Sequence, residues 1–386
     1  MRKEKQARGI LGNLEVFLEE VETLEPYAGY KFKVKDVLTI SILGLICGMT
    51  TMKMIHKWAM SERVRDFLRE QLRIPFVPCY SQFTVILGNI DSHKMNYAFM
   101  EWARSMAGDV AGKTIAIDGK TIRSTEKILR SPLNIVSAYV SEMGLTIGQI
   151  AAPGKQNEIP CAKELLDLLN VEDSIVVADA LHCQRETAKK IVQRKADYLL
   201  SVKKNQRNLF KELQEFFERR ENLAFIEKCV QREKNGGRIE KRTAYTSLDV
   251  SMIPSQEKWP DLGSIGAIRT EFECKGKKTS AWHFYISSAE LSPEKLLKHA
   301  RLEWGIEAMH WLVDVHFRED ACTVQTENMQ ISLNILRKIV LNLLKQYKAN
   351  NAIKQPLTGI MADCLFDCRN LLDVFCALLF LAFVTD

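Results

Sequence analysis

The 386-residue chain has no CxxC pair, no internal repeat and no low-complexity tract. Its ten cysteines are scattered, several of them inside apolar runs where a reduced thiol packs as a small hydrophobe, so neither a disulfide framework nor a zinc site of ordinary spacing is expected. The two longest apolar runs, Val37 to Met49 and Val374 to Val384, fall short of the roughly 20 residues that cross a bilayer. Both read as core helices, which leaves no membrane partner. The opening MRKEKQARGILGNLEVFLEE is basic and then acidic and amphipathic, without the apolar h-region of a signal peptide. A cytoplasmic location is the expectation. Charge of one sign is also scarce: 54 Lys+Arg against 48 Asp+Glu leaves a net +6, too thinly spread to prove nucleic-acid binding. What is present, 46% hydrophobic and 26% charged residues, is ordinary globular composition and excludes a disordered or purely coiled-coil chain.

Residues 10 to about 105 carry apolar residues at three-to-four spacing, the signature of helices. Pro75 and Pro78 end the second of these, and Ser81 is a candidate cap for the next. The texture changes at Lys113. KTIAIDGKTIR and NIVSAYVSEMGLTIGQIAA predict three strands in succession; a helix over CAKELLDLLN, a strand SIVVADA, a helix over QRETAKKIVQRK and a strand DYLLSV follow. Residues 207 to 228 read as helical. A β-rich stretch runs from Asn235 to Ser288, then Ser292 as cap and Pro293 at the first position open a helical last third. Meander followed by alternating helix and strand implies an α/β or α+β sheet covered by helices.

Asp118 and Asp179 each end an apolar β-branched strand, where sheet-based sites collect functional groups. An aspartate after a strand can equally cap a turn, but two that are neighbours would repel, and keeping both ionised calls for a cation between them. Hard oxygen ligands with no accompanying His/Cys set favour Mg²⁺ over zinc. A third ligand is sought in RLEWGIEAMHWLVDVHFRED, where Glu303, Glu307, His310 or Trp311, and Asp314 share a helix face. At ~1.5 Å rise per residue Glu303 and Asp314 lie roughly 16 Å apart, so they cannot all hold one ion. Read on its own, this face is equally a solvated one with salt bridges such as Asp314 to Arg318.

The strings AIDGKTIRST, VVADALHCQRETA, DYLLSVKKNQ, GGRIEKR and RLEWGIEAMHWLVDVHFRED, in that order, resemble the DDE transposases of the ISAs-type, H-repeat-associated group of bacterial insertion sequences. The segment KVKDVLTISILGLICGMTTMKMIHKWA resembles the transposase-associated region that precedes the catalytic domain in that group. The resemblance implies an α/β, ribonuclease-H-like catalytic domain over 109–350 with a β-rich insertion at about 229–291. An all-helical N-terminal domain over 1–108 precedes it and a helical tail over 351–386 follows. It implies that Asp118, Asp179 and Glu307 are the catalytic, metal-binding acids, with Mg²⁺ as cofactor and Mn²⁺ as a substitute. Two such ions roughly 3.5–4 Å apart would serve strand cleavage and strand transfer alike, without a covalent nucleophile. The group usually carries His where this chain has Glu303 and Asn where it has Ala308. Ala300, Glu303 and Asp314 stand where a broader clan places Tyr, Arg and Lys, with Arg301 a partial substitute.

Double-stranded DNA, both element ends and target, is the expected partner, and a dimer on DNA follows from the need to hold two ends together. From Lys203 to Arg242 there are 12 Lys+Arg against 7 Asp+Glu, so most of the net charge is concentrated just after the second acid. Candidate DNA-contacting residues are Lys120, Arg123, Lys203, Lys204, Asn205, Arg238, Arg242 and Arg301 for phosphates, with Trp304 and His310 beside Glu307. Solvated surface charge is the plain alternative for the basic residues. Trp311 is assigned to the core, and His182 and Gln184 to support of the Asp179 turn. Two other functions fit the same residues, a catalytically inactive DNA-binding remnant or repressor and a Mg²⁺-dependent nuclease without strand transfer.

Overall fold

Alternating β-branched and apolar runs after Lys113 form a nine-stranded sheet in the computed structural model, which describes residues 14–24, 32–129, 131–154, 157–235, 238–274 and 277–376. The strands are β1 (Thr114–Thr121), β2 (Leu133–Val140), β3 (Leu145–Pro153), β4 (Ile175–Ala178), β5 (Asp197–Val202), β6 (Glu227–Asn235), β7 (Arg238–Ser247), β8 (Ser264–Cys274) and β9 (Lys277–Ser287), in spatial order β3-β2-β1-β4-β5-β9-β8-β7-β6. β1, β2 and β3 form the expected antiparallel meander, while β4 and β5 run parallel to β1. The β-rich segment joins that sheet. β9 pairs antiparallel with β5, from Leu199 with Ser287 to Val202 with Phe284, and β8, β7 and β6 follow outward. Residues 207–228 are less helical than expected, because β6 begins at Glu227.

The helices are α1 (Val34–Ile46), α2 (Met52–Ala59), α3 (Glu62–Gln71), α4 (Tyr80–Gly88), α5 (Ser92–Ala107), α6 (Glu158–Leu168), α7 (Arg185–Gln193), α8 (Arg207–Glu218), α9 (Arg220–Phe225), α10 (Pro293–Phe317), α11 (Glu327–Asn350), α12 (Leu357–Phe366) and α13 (Cys368–Phe375). Residues 14–20 are also helical. α4 begins at Tyr80 with Cys79 at its cap, so Ser81 falls inside the helix instead of capping it. α1 is buried without interruption from Val37 to Ile46, as an all-round apolar helix must be. Gly44 lets α2 approach it: a Cβ there would meet Ile55 at 2.9 Å. α1 and α5 pack on α11, which is buried along most of its length, so the N-terminal helices and the sheet share one continuous core. The second apolar run ends α13 at Phe375, and residues 377–384 of it lie outside the described residues. Among the described residues no helix is long and apolar enough to cross a membrane.

Candidate active site

The parallel pairing of β1 with β4 runs from Thr114 with Ile175 to Ile117 with Ala178. That register sets Asp118 and Asp179 side by side, one residue past the last ladder pair. Asp118 lies opposite Ser137 of β2 and shares its face of the sheet. α10 and α11 cover this face: His310 of α10 reaches Asp118, and Lys338 of α11 reaches Ser137.

α10 crosses the strand ends because its sequence permits a close approach. Ser292 caps it, accepting from the Lys295 amide at 3.4 Å, with Pro293 at the first position. At Gly305 a Cβ would meet the Tyr139 ring at 3.1 Å and Ser141 Oγ at 3.2 Å, so the missing side chain lets the helix seat on β2. Ser141 Oγ donates to the Leu302 carbonyl at 2.7 Å at the same crossing. Glu303 and Glu307, one turn apart, then line a cleft of about 310 Å³ with Asp179, Lys203, Tyr285 and Trp304.

Burial lifts the Glu303 carboxyl to about 7, and the neighbouring Asp179, Glu307 and Asp118 add to the rise against the pull of Lys203. His310 is buried, with Nε2 3.5 Å from Asp118 Oδ2, and burial pushes its pKa below the ordinary value against the attraction of that carboxylate. Among the described residues, no three or more His, Cys, Asp and Glu side chains already stand at metal-ligating spacing. Asp179, Glu303 and Glu307 line one cleft, and Asp118 is near enough to act on Glu303, without the acids being drawn together. Their chemistry nevertheless fits a divalent cation: all are hard oxygen donors, and their mutual repulsion is what such an ion relieves.

A second charged cluster, which the sequence did not reveal, ties β1 to the segment after α10. Glu319, 1% exposed, accepts from Lys120 Nζ at 2.8 Å and Asn334 Nδ2 at 2.6 Å, with Arg337 at 3.6 Å. Burial pushes its carboxyl up, but Lys120 and Arg337 outweigh that and bring it down to about 2. Next to it Lys338 Nζ donates to Ser137 Oγ at 2.7 Å and Gln149 Oε1 at 2.6 Å, and burial lowers the ammonium to about 7.

The candidate DNA contacts divide into two groups. Lys203 is exposed at the cleft, Lys204 is exposed next to it in sequence, and Trp304 is 62% exposed on α10; Arg123, 80% exposed, pairs loosely with Asp320 at 3.7 Å, and half-exposed Arg301 pairs with Glu233. Lys120, Arg242, Asn205 and His310 have internal partners. Arg242 pairs with Glu233 at 3.2 Å and with Glu240, and Asn205 Nδ2 donates to the Ala180 carbonyl. Gln206 donates to the Cys183 carbonyl at 2.9 Å, so KKNQ braces the turn after Asp179. Arg238 opens β7, but its side chain and the turn at 236–237 lie outside the described residues. Trp311 is 60% exposed, not in the core, because it points away from the sheet while Met309 and Val313 face it. Asp314 accepts from the Asp320 amide at 3.0 Å, capping the turn that presents Glu319.

A β3-β2-β1-β4-β5 core, an antiparallel meander followed by two parallel strands with helices across it, is a ribonuclease-H-like arrangement. The fold is similar over 97% of this chain and 82% of the other to a solved piggyBac transposase, a synaptic complex with hairpin DNA, at TM-score 0.50 and 12% identity. The family model "Transposase DDE domain" matches residues 111–343, and "DDE_Tnp_1-associated" matches 17–103. "Putative transposase YncI" of Escherichia coli O157:H7 is 29% identical over 86% of this chain and 87% of its own length. "H repeat-associated putative transposase YhhI" of Escherichia coli K12 is 30% identical over 83% and 87%. The chain belongs to the DDE transposase family, in its H repeat-associated group. It is thus an insertion-sequence transposase that cleaves and transfers DNA strands, and such enzymes use divalent metal ions.

Proposed function

We propose that Asp118, Asp179 and Glu307 are the catalytic acids of this transposase and hold Mg²⁺, with Mn²⁺ as a substitute. The observation that carries the reading is the β1–β4 register, which delivers two carboxylates to one spot beneath a helix bearing the third. When bound, divalent ions there supply activation of a water or 3′-hydroxyl and charge stabilisation on the leaving oxygen. The chain's own residues do the positioning. Lys203 at the cleft and Arg301 on α10 meet phosphates, while exposed Trp304 offers a ring on which a base can stack. Glu303 adds a further carboxyl oxygen donor at the same cleft, its charge disfavoured by burial, and His310 stands 3.5 Å from Asp118 on the buried side. The enzyme works in the cytoplasm as a dimer assembled on DNA, since transposition needs two element ends held together. Residues 109–350 form the catalytic unit, 1–108 the associated helical unit and 351–386 the tail.

The test supplies cognate terminal DNA, target DNA and Mg²⁺. Wild type is expected to nick and join, whereas Asp118→Asn, Asp179→Asn and Glu307→Gln bind the ends and do neither. Equal activity in all four proteins overturns the assignment. Binding without cleavage by wild type marks an inactive remnant, and hydrolysed products alone mark a nuclease.

A further inference from the structure

The structure assigns a positioning role to Glu158, which, with His182 and Asn134, anchors the strand ends bearing Asp118 and Asp179 from the opposite face of the sheet. The inference rests on the reading of those aspartates as metal ligands. The β1–β4 ladder stops at Ile117 with Ala178, so Asp118 and Asp179 are not themselves a ladder pair. Beyond that pair β1 continues through Gly119, while Asp179 enters the turn Ala180–His182.

Glu158, at the start of α6 and 3% exposed, spans the gap. Its Oε1 accepts from His182 Nε2 at 3.2 Å, and its Oε2 accepts from Asn134 Nδ2 at 3.1 Å. Asn134 is the cross-strand partner of Thr121, so it shares the Gly119 face of the sheet. The carboxyl group fills the space a side chain on residue 119 would need: a Cβ there would lie 2.4 Å from the Glu158 carboxyl carbon. Glycine next to the first aspartate is therefore required by contact with this acid. On the other side the His182 amide donates to the Asp179 carbonyl at 3.1 Å, and Asp179 Oδ1 accepts from the Leu181 amide at 2.8 Å, which makes the turn one stiff unit. Among the described residues the His182 ring has no hydrogen-bond partner at Nδ1, and there Glu158 alone holds it by a hydrogen bond. One buried carboxylate thus touches the residue after the first aspartate and the residue three beyond the second.

The sequence gives no sign of this role. Glu158 stands there only just ahead of the helix expected over CAKELLDLLN. Outer contacts of this kind orient ligands without touching the ion, and losing them typically weakens metal binding by about 10- to 100-fold.

The experiment titrates the full chain, without DNA, with Mn²⁺ followed by electron paramagnetic resonance, alongside thermal melts. Glu158→Gln keeps the shape and bonds both neighbours with His182 in its other tautomer, so its affinity is expected within about threefold of wild type, well inside the loss typical of a removed outer contact. Glu158→Ala and Gly119→Ala are expected to weaken Mn²⁺ binding by about tenfold or more while folded. A purely structural role would lower the melting temperature and leave the affinity of the folded protein unchanged. Gly119→Ala deletes no partner and decides the matter if Glu158→Ala does not fold. Wild-type affinity in a folded Gly119→Ala or Glu158→Ala protein overturns the positioning role alone. No Mn²⁺ binding by wild type overturns the metal assignment and this inference with it.

Discussion

Replacing Glu319 by Gln keeps the side-chain volume and removes one charge from the cluster that joins β1 to α11. The fall of the Glu319 carboxyl from its ordinary 4.5 to about 2 corresponds to about 3 kcal/mol, within the range for breaking a buried ion pair. The loss arises because Lys120, 17% exposed, and Arg337, 2% exposed, keep their charges and face a neutral amide. With an unfolding entropy of about 2.1 cal/mol/K per residue, a chain of this length loses about 4 °C in melting temperature. The pH dependence has a definite sign. A carboxyl whose folded pKa is depressed stabilises fully above 4.5 and loses that contribution as pH falls toward 2. Melts of wild type and Glu319→Gln should therefore differ most at pH 7, and the gap should narrow below pH 4.5. Equal melting temperatures at pH 7, or a gap that stays constant down to pH 3, would refute the account of this cluster.

Lys338→Met tests the neighbouring cation in a higher pH window, where stability again climbs with pH. Because the folded ammonium titrates at about 7 and the unfolded one at 10.5, the unfolded chain binds more protons between those values, and wild-type stability should climb with pH there relative to the variant. Parallel melting curves from pH 7 to 10 would dismiss it. Trp304→Ala removes an exposed ring, so stability should move by less than about 0.5 kcal/mol while affinity for element-end DNA in a gel-shift assay drops by about 1–3 kcal/mol. Unchanged DNA affinity would mean that the ring does not stack.

The sequence alone determined the alternation of elements, since strand and helix periodicity are local properties that survive in any packing. It also exposed Asp118 and Asp179 at strand ends, and the Ser292-Pro293 start that aims α10 at them. What only the tertiary structure decided depends on residues far apart in the chain. The parallel register of β1 and β4 makes the two aspartates neighbours, and the pairing of β9 with β5 joins the β-rich segment to the central sheet. Burial sorted the polar residues in ways that composition could not. Trp311 faces outward because only one side of α10 meets the sheet, while Lys120 and Arg242 are drawn into ion pairs with acids that packing brought to them. Glu158 and Glu319 have no local signature at all, because the cost of burying a carboxylate, and the partners that offset it, exist only once the chain has folded.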